Sequence, residues 1–208
     1  MVNQRDNQYL LLTPGPLTTT RTVRESMMQE FCTWDDDYKS IVESIRWRLV
    51  RLAVRDDANL DVHTSVLMQG SGTFAVESAI GSVVPSDGKL LVLNNGAYGA
   101  RITTISRMLR IDTVELGQAQ TEPTDLGQLE QMLIDDPAIT HVPMVHCETT
   151  TGMLNPVEAS GKIARRYGRE FILDAMSSFS GIPMSMESTG TQYLHFLRQQ
   201  VRAGRAGV

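Results

Sequence analysis

Short apolar runs alternate with helix-like segments along most of the chain, and this alternation restricts its fold more than any other feature. The apolar runs lie at residues 64–68, 89–93, 113–116, 141–146 and 170–173. Apolar residues at helical spacing predict helices over residues 21–31, 40–54, 73–83, 100–109, 126–134 and 156–167. Strands that are apolar on both faces belong to parallel sheets, whose crossover helices cover both sides. The sequence therefore predicts an α/β fold, a mostly parallel sheet flanked by helices.

The composition narrows the function classes. The 208 residues, 41% of them hydrophobic, are enough for one sizeable core. A net charge of −5 argues against a general nucleic-acid binder, which would carry a basic face. Two cysteines are too few for a disulfide framework and indicate a reducing compartment, so we expect a cytoplasmic protein. The sequence shows no run of membrane-spanning length, no leader-like start and no metal-ligand spacing among its four histidines.

A Gly-Ser-Gly-Thr run follows the first apolar run and opens a predicted helix. Ser71, Gly72 and Thr73 place backbone N–H groups and hydroxyls at a helix N-terminus, where a phosphate is favoured by unpaired donors and by the helix dipole. A tight turn with a hydroxyl N-cap would have the same sequence. The run is therefore a candidate phosphate site with a structural alternative.

Asp174 ends the last apolar run, at the edge where α/β folds bind ligands. A carboxylate there can pair with a protonated pyridine nitrogen and keep the ring electron-withdrawing. A carboxylate in a turn is the alternative. Together with the Ser71–Thr73 turn, Asp174 points to a phosphorylated, pyridine-type cofactor.

Two further segments place polar or aromatic groups after strands. Tyr98, in the run Asn95–Gly99, can stack on a flat ring or pack in the core. The run 146–152 carries a row of hydroxyls that suits a cofactor oxygen, although a polar β-turn is the alternative. His146 and Cys147 do not form a nucleophile–base pair, because neighbours on a strand point to opposite faces. The acidic run 35–37 indicates a helix start rather than a metal site.

Five motifs occur in an order and spacing that resemble a known family. They are Thr-Pro-Gly-Pro at 13–16, Gly-Ser-Gly-Thr at 70–73, Asn-Gly-Ala-Tyr-Gly at 95–99, Glu-Thr-Thr-Thr-Gly at 148–152 and Asp-Ala-Met-Ser-Ser at 174–178. They resemble the aminotransferases of pyridoxal-phosphate fold type I in the class-V family, and within it the 2-aminoethylphosphonate–pyruvate transaminases. The resemblance covers roughly residues 8 to 194.

The resemblance implies a role for individual residues and for the whole protein. The residues implied to hold pyridoxal 5'-phosphate are Ser71, Gly72 and Thr73 at the phosphate, Tyr98 on the ring, Thr149 at the ring oxygen, Asp174 at the pyridine nitrogen and Met176 under the ring. Pro14, Gly15 and Pro16 would approach the substrate. The implied reaction moves the amino group of 2-aminoethylphosphonate to pyruvate, giving phosphonoacetaldehyde and L-alanine in phosphonate catabolism. The implied assembly is a homodimer.

The chain departs from the family after Leu194, where the family has a Ser-Ala-Asn-Lys segment whose lysine forms the Schiff base. No lysine follows Lys162 in this sequence. If one extra C follows the Leu194 codon, the shifted codons of residues 195–207 can read Ile-Ser-Ser-Ala-Asn-Lys-Cys-Val-Gln-Gly-Val-Pro-Gly. We therefore expect a frameshifted, truncated transaminase with little or no activity.

The resemblance and its end after Leu194 predict three parts of the chain: an N-terminal arm (1–20), an incomplete cofactor-binding large domain (21–194) and a tail outside the family (195–208). Two alternatives stay open at this point. A related alanine–glyoxylate or serine–pyruvate aminotransferase carries a similar set of motifs. A non-catalytic, dimerising fragment is the other alternative.

Overall fold

A computed structural model describes residues 10–11 and 18–195 of the chain. Within these residues the strands are β1 Lys89–Asn94, β2 Asp112–Gly117, β3 His141–Val145, β4 Cys147–Glu148, β5 Met153–Leu154, β6 Glu170–Asp174 and β7 Tyr193–His195. Five of them form one sheet in the order β2-β1-β3-β6-β7, and every neighbouring pair is parallel. The short β4 and β5 pair antiparallel in a separate ladder. The predicted α/β fold with a parallel sheet is confirmed.

The helices of the described residues are α1 Arg21–Ser26, α2 Asp36–Ala53, α3 Gly72–Val83, α4 Ala97–Met108, α5 Leu126–Asp135, α6 Val157–Arg166 and α7 Met186–Thr189, with a short 3₁₀ helix at Asp57–Val62. Side-chain caps define several starts. The Ser71 hydroxyl accepts a hydrogen bond from the Phe74 N–H at the start of α3, and Asp125 caps α5 in the same way. The expected helix start in the acidic run is confirmed, because Asp36 and Asp37 form the first turn of α2, where the helix dipole favours negative charge.

The core lies on both faces of the sheet, as alternation along the strands requires. Leu91 and Leu93 of β1 face one layer with α5 and α6, where Leu129 and Ala164 are fully buried. Leu90 and Val92 face the opposite layer, with α3 and α4. Burial on both faces explains why the strand sequences are apolar without interruption.

The parallel arrangement brings the carboxyl ends of the strands to one edge. Val145 of β3 lies opposite Asp174 of β6, and Asp174 lies opposite His195 of β7. The segments that follow β1, β3 and β6 therefore start at the same edge, which is where open α/β sheets bind ligands. The predicted motifs around Tyr98, Thr149 and Asp174 all belong to these segments.

The structure adds the short elements β4, β5, α7 and the 3₁₀ helix to those expected, and it differs from the expectation in three further places. The first helix ends at Ser26 instead of residue 31, and the exposed side chains of Met27 and Met28 bury no apolar surface that would extend it. Residues 64–68 form no strand and pair with no strand of the described chain; the Arg46 side chain instead donates to the Ser65 carbonyl, and Val66 is 75% exposed. The third difference is β7, a short strand where the sequence indicated none.

Candidate functional site

Asp174 is the buried acidic group at the carboxyl edge of the sheet. Its side chain is almost wholly enclosed, and one carboxylate oxygen, Oδ1, accepts a hydrogen bond of 2.9 Å from the Met176 N–H. The other oxygen, Oδ2, lies 3.4 Å from Nε2 of His195. Burial by itself would raise the pKa of Asp174, but the His195 charge, the Met176 N–H and the Arg101 charge outweigh it and hold the pKa below its ordinary value. The group is therefore a fixed carboxylate.

The start of α3 offers donors beside this carboxylate. Its Ser71 hydroxyl is engaged as the N-cap, while the backbone N–H groups of Gly72 and Thr73 have no acceptor within the described part of the chain. A Cβ on Gly72 would lie 3.1 Å from both Sδ and Cε of Met176, so the turn lies close to the segment after β6, and a side chain at this position would require Met176 to shift. The donors and the carboxylate thus belong to adjoining segments.

Helix α4 adds an aromatic ring and a positive charge. The Arg101 guanidinium carbon lies 5.0 Å from the centre of the Tyr98 ring, a cation–π contact. Arg101 Nη1 also lies 3.3 Å from the Thr73 hydroxyl, so α4 reaches the start of α3. Sequence reasoning missed Arg101. Its position three residues after Tyr98 on a helix is the signal that would have found it.

The turn after β4 carries the remaining polar candidate. Thr149 is half-buried, and among the described residues its side chain makes no hydrogen bond of its own. Its position is set by Glu148, whose backbone carbonyl accepts from the Gly152 N–H at 2.7 Å. The Ser177 hydroxyl donates to the Cys147 carbonyl at 2.8 Å and ties this turn to the segment after β6. The segment therefore forms the predicted polar β-turn, and its role at a cofactor oxygen stays a prediction.

His146 has a supporting position behind the edge. It is buried, its Nδ1 lies 2.8 Å from the Ser178 hydroxyl, and burial lowers the pKa of the ring below its ordinary value. A neutral, buried imidazole bonded to a buried hydroxyl anchors the segment after β6. Cys147, its neighbour in sequence, is half-buried and free.

The remaining residues that the sequence suggested lie in the N-terminal arm and the C-terminal tail. Pro14, Gly15 and Pro16 fall outside the described residues. Of the tail from residue 195 onward, only His195 is described.

None of the three lysines lies at the site. Lys39 is on α2, bonded to Asp36 at 3.0 Å, and Lys162 is exposed on α6. Lys89 begins β1, so it lies at the sheet edge opposite the one where parallel β6 ends with Asp174. Its hydrogen bond to Asp136 helps raise its pKa above the ordinary value, which keeps the amine protonated.

Other parts of the described chain offer no comparable constellation. A shallow hollow of about 230 Å³ lies between α2 and residues 60–65 and contains none of the candidate residues. No group of three or more His, Cys, Asp or Glu side chains within residues 10–11 and 18–195 is arranged to hold a metal ion. No helix in those ranges has the length and apolar character needed to cross a membrane.

The family model described as "Aminotransferase class-V" matches residues 41–203. The chain belongs to the class-V aminotransferase family. Membership implies pyridoxal 5'-phosphate as the cofactor and agrees with the donors, ring and carboxylate found at the sheet edge.

Curated relatives share about half of the chain's residues. A 2-aminoethylphosphonate–pyruvate transaminase of Vibrio vulnificus (strain CMCP6) is 54% identical over 90% of this chain and 50% of its own length. One of Bacillus cereus is 49% identical over 91% of this chain and 54% of its own length. The chain thus spans about half the length of the curated relatives it matches. A pyridoxamine–pyruvate aminotransferase structure from Mesorhizobium loti, 24% identical, matches 90% of this chain and 47% of its own with a TM-score of 0.80, which shows the fold type I architecture.

Proposed function

We propose that this chain is the cofactor-binding half of an enzyme that transfers the amino group of 2-aminoethylphosphonate to pyruvate, releasing phosphonoacetaldehyde and L-alanine. The observation that carries the proposal is the 54% identity with a transaminase of that name over 90% of the chain. The constellation at the carboxyl edge supports it, because each group has a partner on a phosphorylated pyridine ring.

The residues present fit pyridoxal phosphate. A phosphate dianion would accept from the N–H groups of Gly72 and Thr73 and from the hydroxyls at the start of α3, with the Arg101 charge beside them. Tyr98 would stack on the ring, Met176 would lie beneath it, and Thr149 would donate to the ring oxygen.

When bound, the cofactor supplies an electron-withdrawing ring that stabilises negative charge on the carbon next to the substrate's amino group. The Asp174 carboxylate would hold a proton on the pyridine nitrogen. An ionised carboxylate suits this role, because in an enclosed site it strengthens the ion pair; in the 208-residue chain the His195 charge helps to hold the pKa of Asp174 below its ordinary value.

The substrate, assembly and compartment remain parts of the proposal. Pro14, Gly15 and Pro16 would approach the substrate's acidic group. Two copies of the full-length enzyme would form a homodimer. Exposed apolar side chains beside the start of α3, among them Met68 and Phe74, support a covering partner there. The two free cysteines agree with a reducing cytoplasm.

The same division of the chain is proposed, with an arm at 1–20, the cofactor domain at 21–194 and a tail at 195–208. The large hydrophobic cluster runs from Ala53 to Met184 and supports a single unit for the middle part. We also propose that the catalytic lysine is encoded in the shifted frame beyond Leu194. The 208-residue chain would then hold the cofactor without a covalent bond and make no alanine.

The experiment compares two gene products. The gene is sequenced through the Leu194 codon, and both the 208-residue chain and the frame-restored product are assayed for alanine from 2-aminoethylphosphonate and pyruvate. The proposal expects an extra base in the gene and activity in the restored product alone. A clean frame refutes the frameshift, whereas a restored product that prefers glyoxylate or serine as a partner refutes the substrate assignment.

A further inference from the structure

Glu148 is a buried carboxylate to which no role has been given. Its side chain is fully enclosed, 0% exposed, between β4 and the start of α4. Oε1 accepts a hydrogen bond of 2.9 Å from the Gly99 N–H, and Oε2 accepts one of 3.3 Å from the Tyr98 N–H. Both donors belong to the first turn of α4, whose N–H groups have no partner inside the helix.

The local sequence makes room for this contact. A Cβ on Gly96 would lie 2.5 Å from the Glu148 carboxyl carbon, so the glycine is required by the close approach of the carboxylate. Gly96 is also the N-cap of α4, and it provides no side-chain cap of its own. A residue fifty positions later in the chain therefore does what a Ser or Asp cap does elsewhere.

Both ends of Glu148 hold a segment of the candidate site. Its carboxylate fixes the turn that carries Tyr98 and, one helical turn on, Arg101. Its backbone carbonyl accepts from the Thr151 and Gly152 N–H groups and so fixes the turn that carries Thr149. Tyr98, proposed for the face of the ring, and Thr149, proposed for its oxygen, are thus positioned relative to each other through one residue, by its side chain and its backbone carbonyl.

We propose that Glu148 is a positioning residue that couples α4 to the turn after β4, so that Tyr98 and Thr149 meet the same ring. The inference rests on the proposed function, because it assumes that the pyridoxal phosphate ring binds between them. Glu148 touches neither the cofactor nor the substrate in this role, and its effect passes through the backbone of Tyr98 and Gly99.

Two variants and a matched control test the idea. Glu148→Gln keeps one acceptor oxygen, while Glu148→Ala removes both. Asp125→Ala is the control, because Asp125 likewise caps a helix, α5, through the Gly127 and Gln128 N–H groups and, among the described residues, bonds to none of the candidate residues. The free energy of unfolding of each variant is measured first, which separates a loss of helix capping from a loss of positioning.

Two readouts follow on the intact 208-residue chain. The first is amide hydrogen exchange at Tyr98 and Gly99 without cofactor. We expect it to be about tenfold or more faster in Glu148→Ala, because hydrogen bonds to charged groups are among the stronger ones. The second is the dissociation constant of pyridoxal phosphate together with the visible circular dichroism of the bound ring, which reports its orientation. The affinity for pyridoxal phosphate should be highest in the wild type, lower in Glu148→Gln and lowest in Glu148→Ala, and the visible dichroism of the bound ring should change in both variants. Asp125→Ala should keep the wild-type affinity and the wild-type dichroism.

The outcomes are distinguishable. A wild-type chain that binds no pyridoxal phosphate overturns the proposed function and this inference with it. A wild-type chain that binds the cofactor, with Glu148 variants that bind it equally well and with unchanged dichroism, overturns the inference alone. If Glu148→Ala does not fold, Glu148→Gln decides between these results.

Discussion

Gly161, on α6, is the position where one added methyl group tests the packing most sharply. A Cβ there would lie 1.8 Å from the carbonyl oxygen of Thr189 on α7 and 3.0 Å from Cδ1 of Phe171 on β6. Contacts of this kind below 3.0 Å are essentially never seen, so α6 and α7 would have to separate by about 1 Å or more. The obstacle is backbone, and no side-chain rotation can relieve it.

The expected size of the effect follows from two opposing terms. Alanine is favoured over glycine inside a helix by about 1 kcal/mol. Overpacking a tight core costs about 1–3 kcal/mol, and a backbone obstacle puts Gly161→Ala at the upper end. We therefore expect Gly161→Ala to lower the free energy of unfolding by about 2 kcal/mol, a large part of the 5–15 kcal/mol typical of a domain.

Gly81→Ala is the matched control. Gly81 is an exposed glycine of α3, and its added Cβ would meet only Leu109 Cδ1 at the ordinary distance of 3.6 Å. Without a clash, the substitution should raise the free energy of unfolding by about 0.5–1 kcal/mol. The two variants thus change stability in opposite directions although the chemical change is the same.

The assay is urea denaturation followed by far-ultraviolet circular dichroism, with the slope of the transition checked for constancy. An effect of about 2 kcal/mol moves the midpoint by roughly 1 M when the slope is near 2 kcal/mol per M. If Gly161→Ala is as stable as the wild type or more stable, the close approach of α6 to α7 does not exist in solution and the reasoning is refuted.

Three further predictions concern the site. Asp174→Asn should weaken pyridoxal phosphate binding by about 10- to 100-fold in an absorbance titration, because hydrogen bonds to charged groups contribute about 1.5–3 kcal/mol; an unchanged dissociation constant would count against the ring-nitrogen role. The folded-state pKa of Asp174 lies below its ordinary value of 3.8, so its ionised form stabilises the fold above pH 3.8 and this stability is lost as the pH falls through the folded-state pKa. In acid denaturation, the wild type should therefore lose stability more steeply than Asp174→Asn. Parallel denaturation curves for the two proteins would contradict this. Arg101→Met should weaken binding of pyridoxal phosphate but leave binding of pyridoxal, which lacks the phosphate, nearly unchanged; equal losses for both ligands would show that Arg101 acts on the ring and not on the phosphate.

Periodicity alone predicted most of the fold, because buried strands and amphipathic helices leave direct traces in sequence. The strands β1, β3 and β6 lie within one residue of their expected ends. Residues 64–68 show where this reasoning fails. They are as apolar as a strand, but no described strand pairs with them, and Val66 is largely exposed. Apolar composition cannot tell a buried strand from an extended surface segment.

The site could be predicted only as a set of segments. Motifs made Ser71, Tyr98 and Asp174 candidates, and the shared edge of a parallel sheet explains why the segments of Tyr98 and Asp174 lie together. Ser71 follows no strand of the described sheet, so its position beside them was not explained by that edge. The contacts between segments were not predictable, since Glu148 reaches the start of α4 across about fifty residues of sequence. Its neighbour Thr149 could be predicted as a site residue, because a hydroxyl can hydrogen-bond to a cofactor oxygen. A buried carboxylate bonded to a remote backbone leaves no local pattern.

Borohydride reduction in the presence of one equivalent of pyridoxal phosphate, followed by peptide mapping, determines whether this chain forms a Schiff base with the coenzyme. We expect the coenzyme to leave on dialysis and no peptide to carry it after reduction, since Lys39, Lys89 and Lys162 all lie away from Asp174. A single peptide carrying the reduced coenzyme in stoichiometric yield would contradict this expectation, because this polypeptide would then supply its own amine to the site.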